Sequence, residues 1–177
     1  MIATATKIDG VFTVAIEPIA DARGFFARTF CVDMLRAQGV ITGPLRQTSI
    51  SANPHRGTLR GLHWQAAPAA ENKLVRPIAG RIFDVAVDVR PPSPTFRRWL
   101  GVELDASRQD GLFVPAGCAH GFLTLTNDCI VEYGMDADFA PEMARGARWN
   151  DPAFAIAWPL APLLIGERDR SWPDFAP

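Results

Sequence analysis

Three basic side chains are candidates for chemistry: Arg60, His63 and Lys73. They lie in two short segments in which Leu and Val alternate with polar residues, a pattern that predicts neighbouring β-strands. Arg60 and His63 would face opposite sides of a regular strand, unless a bulge at Gly61 turns both inward. Basic groups are costly to bury unless an anionic ligand accompanies them. An isolated histidine in such a strand is equally well explained as a hydrogen-bonded core residue, but the cluster favours a functional site.

A second histidine follows a tight-turn motif and raises the question of a metal site. Residues 112–122 contain Pro-x-Gly followed by His120 and resemble the second motif of the cupin superfamily, so that the segment around His63 would be the first. Metal-binding cupins place two histidines one residue apart in the first motif, whereas this chain has Gln65 at the second position and Glu71 as a downstream acid. An open catalytic metal site needs at least three good ligands. The sequence therefore predicts a cupin barrel without a metal.

Three further residues each have two interpretations. Tyr133 is the only tyrosine, and in a strand it is ordinarily a packing residue; it takes part in chemistry only as a proton donor that faces a base. Asp84 and Asp88 share one face of a predicted strand because they are four residues apart. One of them could orient a histidine while the other caps the surface, and the sequence does not decide between them.

Short strands separated by turn signals make up most of the chain, which is typical of an all-β sandwich or barrel. Strands or short β-rich runs are predicted within 8–20 and at 25–32, 45–52, 58–65, 73–77, 81–89, 99–104, 111–114, 121–126 and 130–135. Residues 33–38 are predicted to form a short helix that Asp33 caps and Gly39 ends. The tail from Trp149 is predicted to pack over the barrel as irregular structure.

Length and composition limit the classes of function. The 177 residues are enough for one well-buried core and few for two domains, so a single domain, 1–177, is expected. A net charge of -1 and a pI near 6.3 give no general attraction to nucleic acid or to an anionic membrane. Cys31, Cys118 and Cys129 do not indicate a disulfide framework or a zinc site, and they favour a reducing cytoplasm. We expect neither a signal peptide nor a membrane span.

Longer motifs follow one another along the chain: Asp21-x-Arg-Gly-x-Phe26, Leu59-Arg-Gly-Leu-His63-Trp-Gln, Lys73-Leu-Val-Arg, Asp84-Val-Ala-Val-Asp-x-Arg90, Ser93-Pro-Thr-Phe, Pro115-x-Gly-x-Ala-His-Gly-Phe122 and Trp149-Asn-Asp-Pro. Together they resemble the dTDP-4-dehydrorhamnose 3,5-epimerase family, in one register from about residue 8 to residue 174. Each motif is weak alone, but their shared order makes the resemblance specific. It implies a metal-free cupin-type double-stranded β-helix, or jelly roll, with very little helix and assembled as a homodimer.

The resemblance implies a nucleotide-diphosphate 4-keto-6-deoxy sugar as the substrate and no cofactor. The ketone acidifies the protons on C3 and C5, so a base can remove one if the enolate oxygen is stabilised, and a proton then returns to the opposite face. By resemblance His63 is the base and Asp169 its orienting carboxylate. Tyr133 would return the proton, and Lys73 would stabilise the enolate. The residues that match substrate-binding positions are Arg23, Phe26, Gln47, Ser49, Arg60, His120, Phe139 and Arg168.

The chain departs from the family pattern mainly at ligand-contacting positions. Arg28, Thr48, Ser49, Gly134, Phe139, Ala144 and Arg168 stand where the family has glutamate, aspartate, asparagine, lysine, tyrosine, glutamate and lysine, respectively. The proton-transfer residues are kept, so we expect deprotonation chemistry on a different nucleotide sugar, or inversion of one centre only. One alternative is a non-catalytic nucleotide-sugar or carbohydrate binding cupin, which would not need an opposed base and acid. Another is a metal-dependent cupin isomerase or oxygenase, which Gln65 disfavours.

Overall fold

The computed structural model describes residues 1–176, so that Pro177, the last residue of the expected domain, lies outside the described residues. Strands dominate, as predicted: β1 (Ile2–Ala5), β2 (Phe12–Ala15), β3 (Ile19–Asp21), β4 (Gly24–Phe26), β5 (Gln47–Asn53), β6 (Thr58–Gln65), β7 (Lys73–Ala79), β8 (Arg81–Asp88), β9 (Trp99–Asp105), β10 (Asp110–Val114), β11 (Cys118–Thr124), β12 (Cys129–Met135), β13 (Ala144–Gly146) and β14 (Leu164–Ile165). The helices are α1 (Val32–Arg36), α2 (Glu167–Ser171) and a 3-10 turn at Pro141–Met143. Within residues 1–176 no helix is long and apolar enough to cross a membrane.

The strands form two facing sheets and one separate hairpin. The first sheet has the order β1-β2-β10-β7-β12-β5, and the second has the order β13-β6-β11-β8-β9 with β14 added in parallel to β6. Within residues 1–176, β3 and β4 pair only with each other. Some paired strands are distant in sequence, such as β10 beside β7 and β11 beside β6. The connections between the strands therefore cross from one sheet to the other, as in a jelly roll. This is the predicted double-stranded architecture.

The main core lies between the two sheets, because alternate side chains of both point inward. Val75 and Val131 from the first sheet pack with Ile82, Ala86 and Phe122 from the second, and all five are fully buried. The valine, isoleucine and phenylalanine side chains each contribute roughly 1.5 to 3 kcal/mol when removed from water, and alanine contributes less. The core therefore fixes the spacing of the sheets from which the candidate site is built.

The tail after Trp149 packs on the outer face of the second sheet, as predicted. Its Phe154 is buried in a cluster with Leu62 and Val85, and Trp158 packs against the same cluster. The prediction that the tail is irregular is wrong in part, because it also forms β14 and α2. A two-residue strand and a one-turn helix are too short to show a hydrophobic period in the sequence.

The segment before β5 corrects two predictions. β4 ends at Phe26, so the strand predicted to run to residue 32 is much shorter. α1 begins at Val32 with Cys31 at the N-cap position, and Asp33 therefore lies in the first turn rather than at the cap. Its negative charge is still favourable there because the helix N-terminus is the positive end of the dipole. Gly39 follows the helix with a φ of +85°, the left-handed conformation that glycine adopts without cost.

Candidate active site

The bulge that could turn Arg60 and His63 to the same side of β6 is present, next to Gly61. His63 pairs with His120 and Gly61 pairs with Gly121, so Leu62 is an extra residue with no partner in β11. Gly61 has a φ of +118°, and a Cβ built on it would lie 2.6 Å from Gly121 Cα. A larger residue would therefore force β6 and β11 apart. The bulge changes the alternation of β6, so that residues on both sides of it can face the same space.

Arg60 and His63, on either side of this bulge, line one cavity of about 480 Å³. Tyr133 enters the cavity from β12 of the first sheet, whereas His63 enters it from β6 of the second. The remaining lining residues are Gln47, Ser49, Ser51, Glu71, Lys73, His120, Met135, Phe139 and Asp169. A volume of this size is typical of small-molecule sites. The histidine and the tyrosine thus belong to opposite walls.

His63 is held by a carboxylate from the far end of the chain. Its Nε2 lies 2.6 Å from Asp169 Oδ1, and the other carboxylate oxygen accepts a hydrogen bond of 3.0 Å from the Gly61 backbone N–H. Burial raises the pKa of Asp169, but the hydrogen bonds from His63 and Gly61 and the charge of His63 lower it more, so that the pKa lies below its ordinary value. An ionised Asp169 accepts a hydrogen bond from the N–H group at Nε2. In the neutral form of the ring, Nδ1 is then the nitrogen that carries no proton.

His120 forms a second pair with a carboxylate and answers the open question about the two aspartates. Its Nε2 lies 2.7 Å from Asp84 Oδ1, and its ring meets the Tyr133 ring edge-on at 5.9 Å between centroids. Asp84 therefore orients a histidine. Asp88 instead binds Arg90 and a neighbouring turn at the sheet end.

The proton on the Tyr133 hydroxyl is held more tightly than in water. Burial raises the pKa of Tyr133, and the nearby Asp84 carboxylate raises it further, while Arg60 lowers it less. The phenol is consequently protonated over the whole physiological pH range. It is a proton donor that gives up its proton only to a strongly basic partner.

Lys73 and Glu71 form an ion pair at the side of the cavity. Lys73 Nζ lies 2.9 Å from Glu71 Oε1, and both side chains are 8% exposed. Gln65, which replaces a metal-binding histidine, donates to Glu71 Oε2 at 3.2 Å and accepts from the Ala140 N–H at 2.7 Å. Within residues 1–176 no three His, Cys, Asp or Glu side chains are grouped so as to hold a metal ion. Gln65 and Glu71 are thus used to fix the lysine.

Most of the predicted binding residues also border this space. Gln47, Ser49, Arg60 and Phe139 line the cavity, and Arg60 is steadied by a hydrogen bond of 2.8 Å to Asn53. Arg168 lines an adjoining cavity of about 370 Å³. The two cavities share several residues, namely Arg60, His63, Glu71, Phe139 and Asp169.

Two predicted binding residues lie elsewhere. Arg23 and Phe26 are on the β3–β4 hairpin and line neither of these two cavities of their own chain. Arg23 pairs with Asp21 in the turn, its side chain is 89% exposed, and Phe26 is 75% exposed. Sequence reasoning in turn missed Ser51 and Met135, which line the cavity. Both could have been found, because they lie two residues beyond Ser49 and Tyr133 on the same face of their strands.

Known proteins are similar to this chain over most of its length. The family model described as dTDP-4-dehydrorhamnose 3,5-epimerase matches residues 5–177. A protein of that name from Sinorhizobium fredii is 43% identical over 156 residues, which covers 88% of this chain and 80% of the relative. This chain belongs to the dTDP-4-dehydrorhamnose 3,5-epimerase family. The predicted resemblance is therefore confirmed across nearly the whole sequence.

Solved structures of epimerases share the fold. A dTDP-4-dehydrorhamnose 3,5-epimerase from Bacillus anthracis, with TDP and PPi bound, has a TM-score of 0.93 at 36% identity and covers 98% of both chains. ChmJ, a 3'-monoepimerase from Streptomyces bikiniensis in complex with dTDP-quinovose, has a TM-score of 0.87 at 33% identity and covers 96% of this chain and 85% of that one. The fold prediction is confirmed by these matches. Such structures include epimerases that act at one centre.

The positions at which this member departs from the family pattern now have a place in the fold. Ser49 and Phe139 border the main cavity, and Ala144 and Arg168 border the adjoining one. Gly134 instead lies under the Leu45 side chain, outside both cavities. Four of the departures thus line the cavities that also contain the His63–Asp169 pair, and Arg168 directly precedes Asp169.

Proposed function

We propose that this protein is a nucleotide-sugar epimerase that inverts C3, C5 or both of a 4-keto-6-deoxy sugar nucleotide in deoxysugar biosynthesis. The observation that carries the proposal is the placement of the His63–Asp169 pair and Tyr133 on opposite walls of one cavity. Epimerisation requires a base on one face of the sugar ring and an acid on the other. A binding module would need neither.

His63 begins the reaction as the base. Its Nδ1 takes the proton from the carbon next to the ketone, and the electron pair of the broken C–H bond moves into the enolate, which places negative charge on the former ketone oxygen. Asp169 accepts a hydrogen bond of 2.6 Å from the N–H group at Nε2 and stabilises the charge of the resulting imidazolium. Lys73, fixed by Glu71, supplies the positive charge that stabilises the enolate oxygen.

Tyr133 completes the inversion from the other wall. As the enolate collapses back to the ketone, its carbon takes the proton of the Tyr133 hydroxyl on the face opposite His63. The raised pKa of Tyr133 suits this step, because the phenol stays protonated until the strongly basic carbanion is formed. Solvent then reprotonates the phenolate and removes the proton from His63.

Binding residues surround this centre. Arg60 borders both cavities and is suited to the diphosphate, because a guanidinium donates in a fork that matches phosphate oxygens. Gln47, Ser49, His120, Phe139 and Arg168 complete the binding set that the family resemblance implies. We propose that the replacements among them set the choice of nucleotide and sugar.

We further propose a homodimer, present in the cytoplasm, in which the hairpin of one subunit reaches the site of the other. Ile19, Phe25 and Phe26 on this hairpin are 57% to 75% exposed, which is unfavourable for three neighbouring large apolar side chains in an isolated subunit. A second subunit would cover them and would bring Arg23 and Phe26 to a cavity. The three free cysteines agree with a reducing compartment.

The test is proton exchange in heavy water. The protein is incubated with dTDP-4-keto-6-deoxyglucose and, in parallel, with CDP- and GDP-linked 4-keto sugars, and deuterium is located by NMR. We expect deuterium at C3, C5 or both with one of these substrates. Exchange at one carbon alone would identify a monoepimerase, and no exchange with any of them would refute the proposal.

A further inference from the structure

The carboxylate that orients His63 belongs to α2, a helix that is too short to be stable by itself. α2 has five residues, and its N-cap Gly166 provides no side-chain hydrogen bond. A single turn gains too few hydrogen bonds to offset the cost of ordering it. Asp169 nevertheless keeps both oxygens within 3.0 Å of His63 and Gly61. The helix must therefore be fixed by the chain on either side of it.

On the N-terminal side the anchor is a short strand. Ile165 of β14 pairs in parallel with Leu59 of β6, which places the start of α2 beside the strand that carries His63. A two-residue strand is a weak anchor by itself, since isolated strand pairs are only marginally stable. It also leaves the C-terminal end of α2 free to turn away from His63.

On the C-terminal side the anchor is Trp172, the C-cap residue that directly follows α2. Its indole lies where a side chain of Gly146 would be, because a Cβ built on Gly146 would overlap indole atoms Cε2 and Nε1. Gly146 is in β13 and pairs with His63 of β6. The indole therefore packs on the backbone directly beside the histidine that Asp169 must reach.

Packing, rather than hydrogen bonding, holds the indole there. Trp172 Nε1 is buried and has no hydrogen-bond partner among the described residues. The guanidinium of Arg168 lies over the indole ring at 5.1 Å from its centroid, so the ring is covered from the α2 side as well. An aromatic face of similar shape should keep the contact even without an N–H group.

We propose that Trp172 is a positioning residue for the reaction: its indole, seated on Gly146, docks α2 so that Asp169 reaches His63. The proposal rests on the proposed function for its kinetic consequence only. The docking can be measured without a substrate, because the Gly61 N–H donates to Asp169 Oδ2 and loses that acceptor when α2 moves away. The adjacent Leu62 N–H donates to the Ala147 carbonyl at 3.0 Å and serves as the reference.

The experiment compares Trp172→Ala, Trp172→Phe and the control Trp158→Ala. Trp158 is a tail indole of equal size that packs edge-on against Phe83 on the outer face of the sheet. Amide hydrogen exchange of Gly61 is expected to be at least about tenfold faster in Trp172→Ala, because a helix docked about a tenth as often leaves this amide without its acceptor most of the time, and unchanged in the other two variants. The Leu62 amide should be unchanged in all three. Gly61 exchange that stays at the wild-type rate, or that rises equally in Trp158→Ala, would overturn the proposal.

A kinetic cycle tests the consequence. Trp172→Ala should lower kcat about tenfold, and the same change should have no further effect in an Asp169→Asn background, because it acts through Asp169. An equal loss in both backgrounds, or an unchanged kcat despite faster Gly61 exchange, would contradict a positioning role. Gly146→Ala, which inserts a methyl group under the indole, should reproduce both effects with Trp172 intact. A wild-type protein that epimerises nothing would refute the proposed function and leave the Gly61 measurement valid.

Discussion

Replacement of Asp169 by asparagine tests the catalytic arrangement most directly. Both partners of the carboxylate are N–H donors, His63 Nε2 at 2.6 Å and Gly61 N at 3.0 Å. Asparagine has the same shape but offers one oxygen and one NH₂ group. Either His63 Nε2 or the Gly61 N–H must therefore face the NH₂ group, which is itself a donor. If the NH₂ group faces His63, then Nε2 has to accept, and the imidazole proton moves to Nδ1. The nitrogen that should remove the substrate proton is then already protonated.

The size of the effect follows from the lost interaction. A hydrogen bond to a charged group contributes roughly 1.5 to 3 kcal/mol, so kcat for Asp169→Asn should fall roughly 10- to 150-fold even if the imidazole keeps its tautomer. A tautomer change would add to this loss. KM should change little, because Asp169 contacts the base rather than the substrate. The assay is the rate of deuterium incorporation at C3 and C5, with Asp105→Asn as a control that removes a carboxylate at the end of β9, outside both cavities.

The same variant has a predicted pH signature in stability. The pKa of Asp169 is lower in the folded protein than its ordinary value, so its carboxylate stabilises the fold above about pH 4, and this contribution is lost as the pH falls through the lowered pKa. Thermal unfolding should therefore show Asp169→Asn to be less stable than the wild type at pH 7, with the difference shrinking below about pH 4. Wild-type kcat in Asp169→Asn would refute the orienting role, and an unchanged gap at low pH would refute the account of its stability.

Three more predictions concern other parts of the molecule. Tyr133→Phe should impair product formation more than proton loss, so that deuterium wash-in at the starting configuration persists; unchanged product formation would remove Tyr133 from the mechanism. Burial raises the pKa of Asp88, but hydrogen bonds from Arg90, Ser93 and Thr95 outweigh it and hold the pKa at about 2. Asp88→Asn should therefore lower the free energy of unfolding by about 2 kcal/mol at pH 7, and by progressively less as the pH falls from about 4 to 2. Urea unfolding measures this difference. A pH-independent loss would contradict this origin. Phe25→Asp should shift the protein from dimer to monomer in sedimentation, and a wild-type monomer would refute the proposed assembly.

The sequence predicts much of the fold because the strands are long and regularly spaced. The positions of β6, β7 and β8 follow from alternating residues bounded by turn signals, and these strands carry many of the site residues. The elements that were missed or misjudged lack such a pattern. β13 has three residues and α2 has one turn, so their positions depend on partners far away in the chain. α2 nevertheless carries Asp169, so the element most important for orienting the base was also among the hardest to foresee.

Residue types and spacing also do not predict which of the two histidines is the base. His63 and His120 are paired across β6 and β11, and each has an aspartate within 2.7 Å, so chemical identity does not distinguish them. Their exposure does: the His63 side chain is 44% exposed in the cavity, whereas that of His120 is 5% exposed. A base must touch its substrate and exchange its proton with solvent between turnovers, which requires access. The more exposed pair is therefore suited to proton transfer, and the buried pair, whose histidine packs against Tyr133 at the cavity wall, is suited to holding the acid in place.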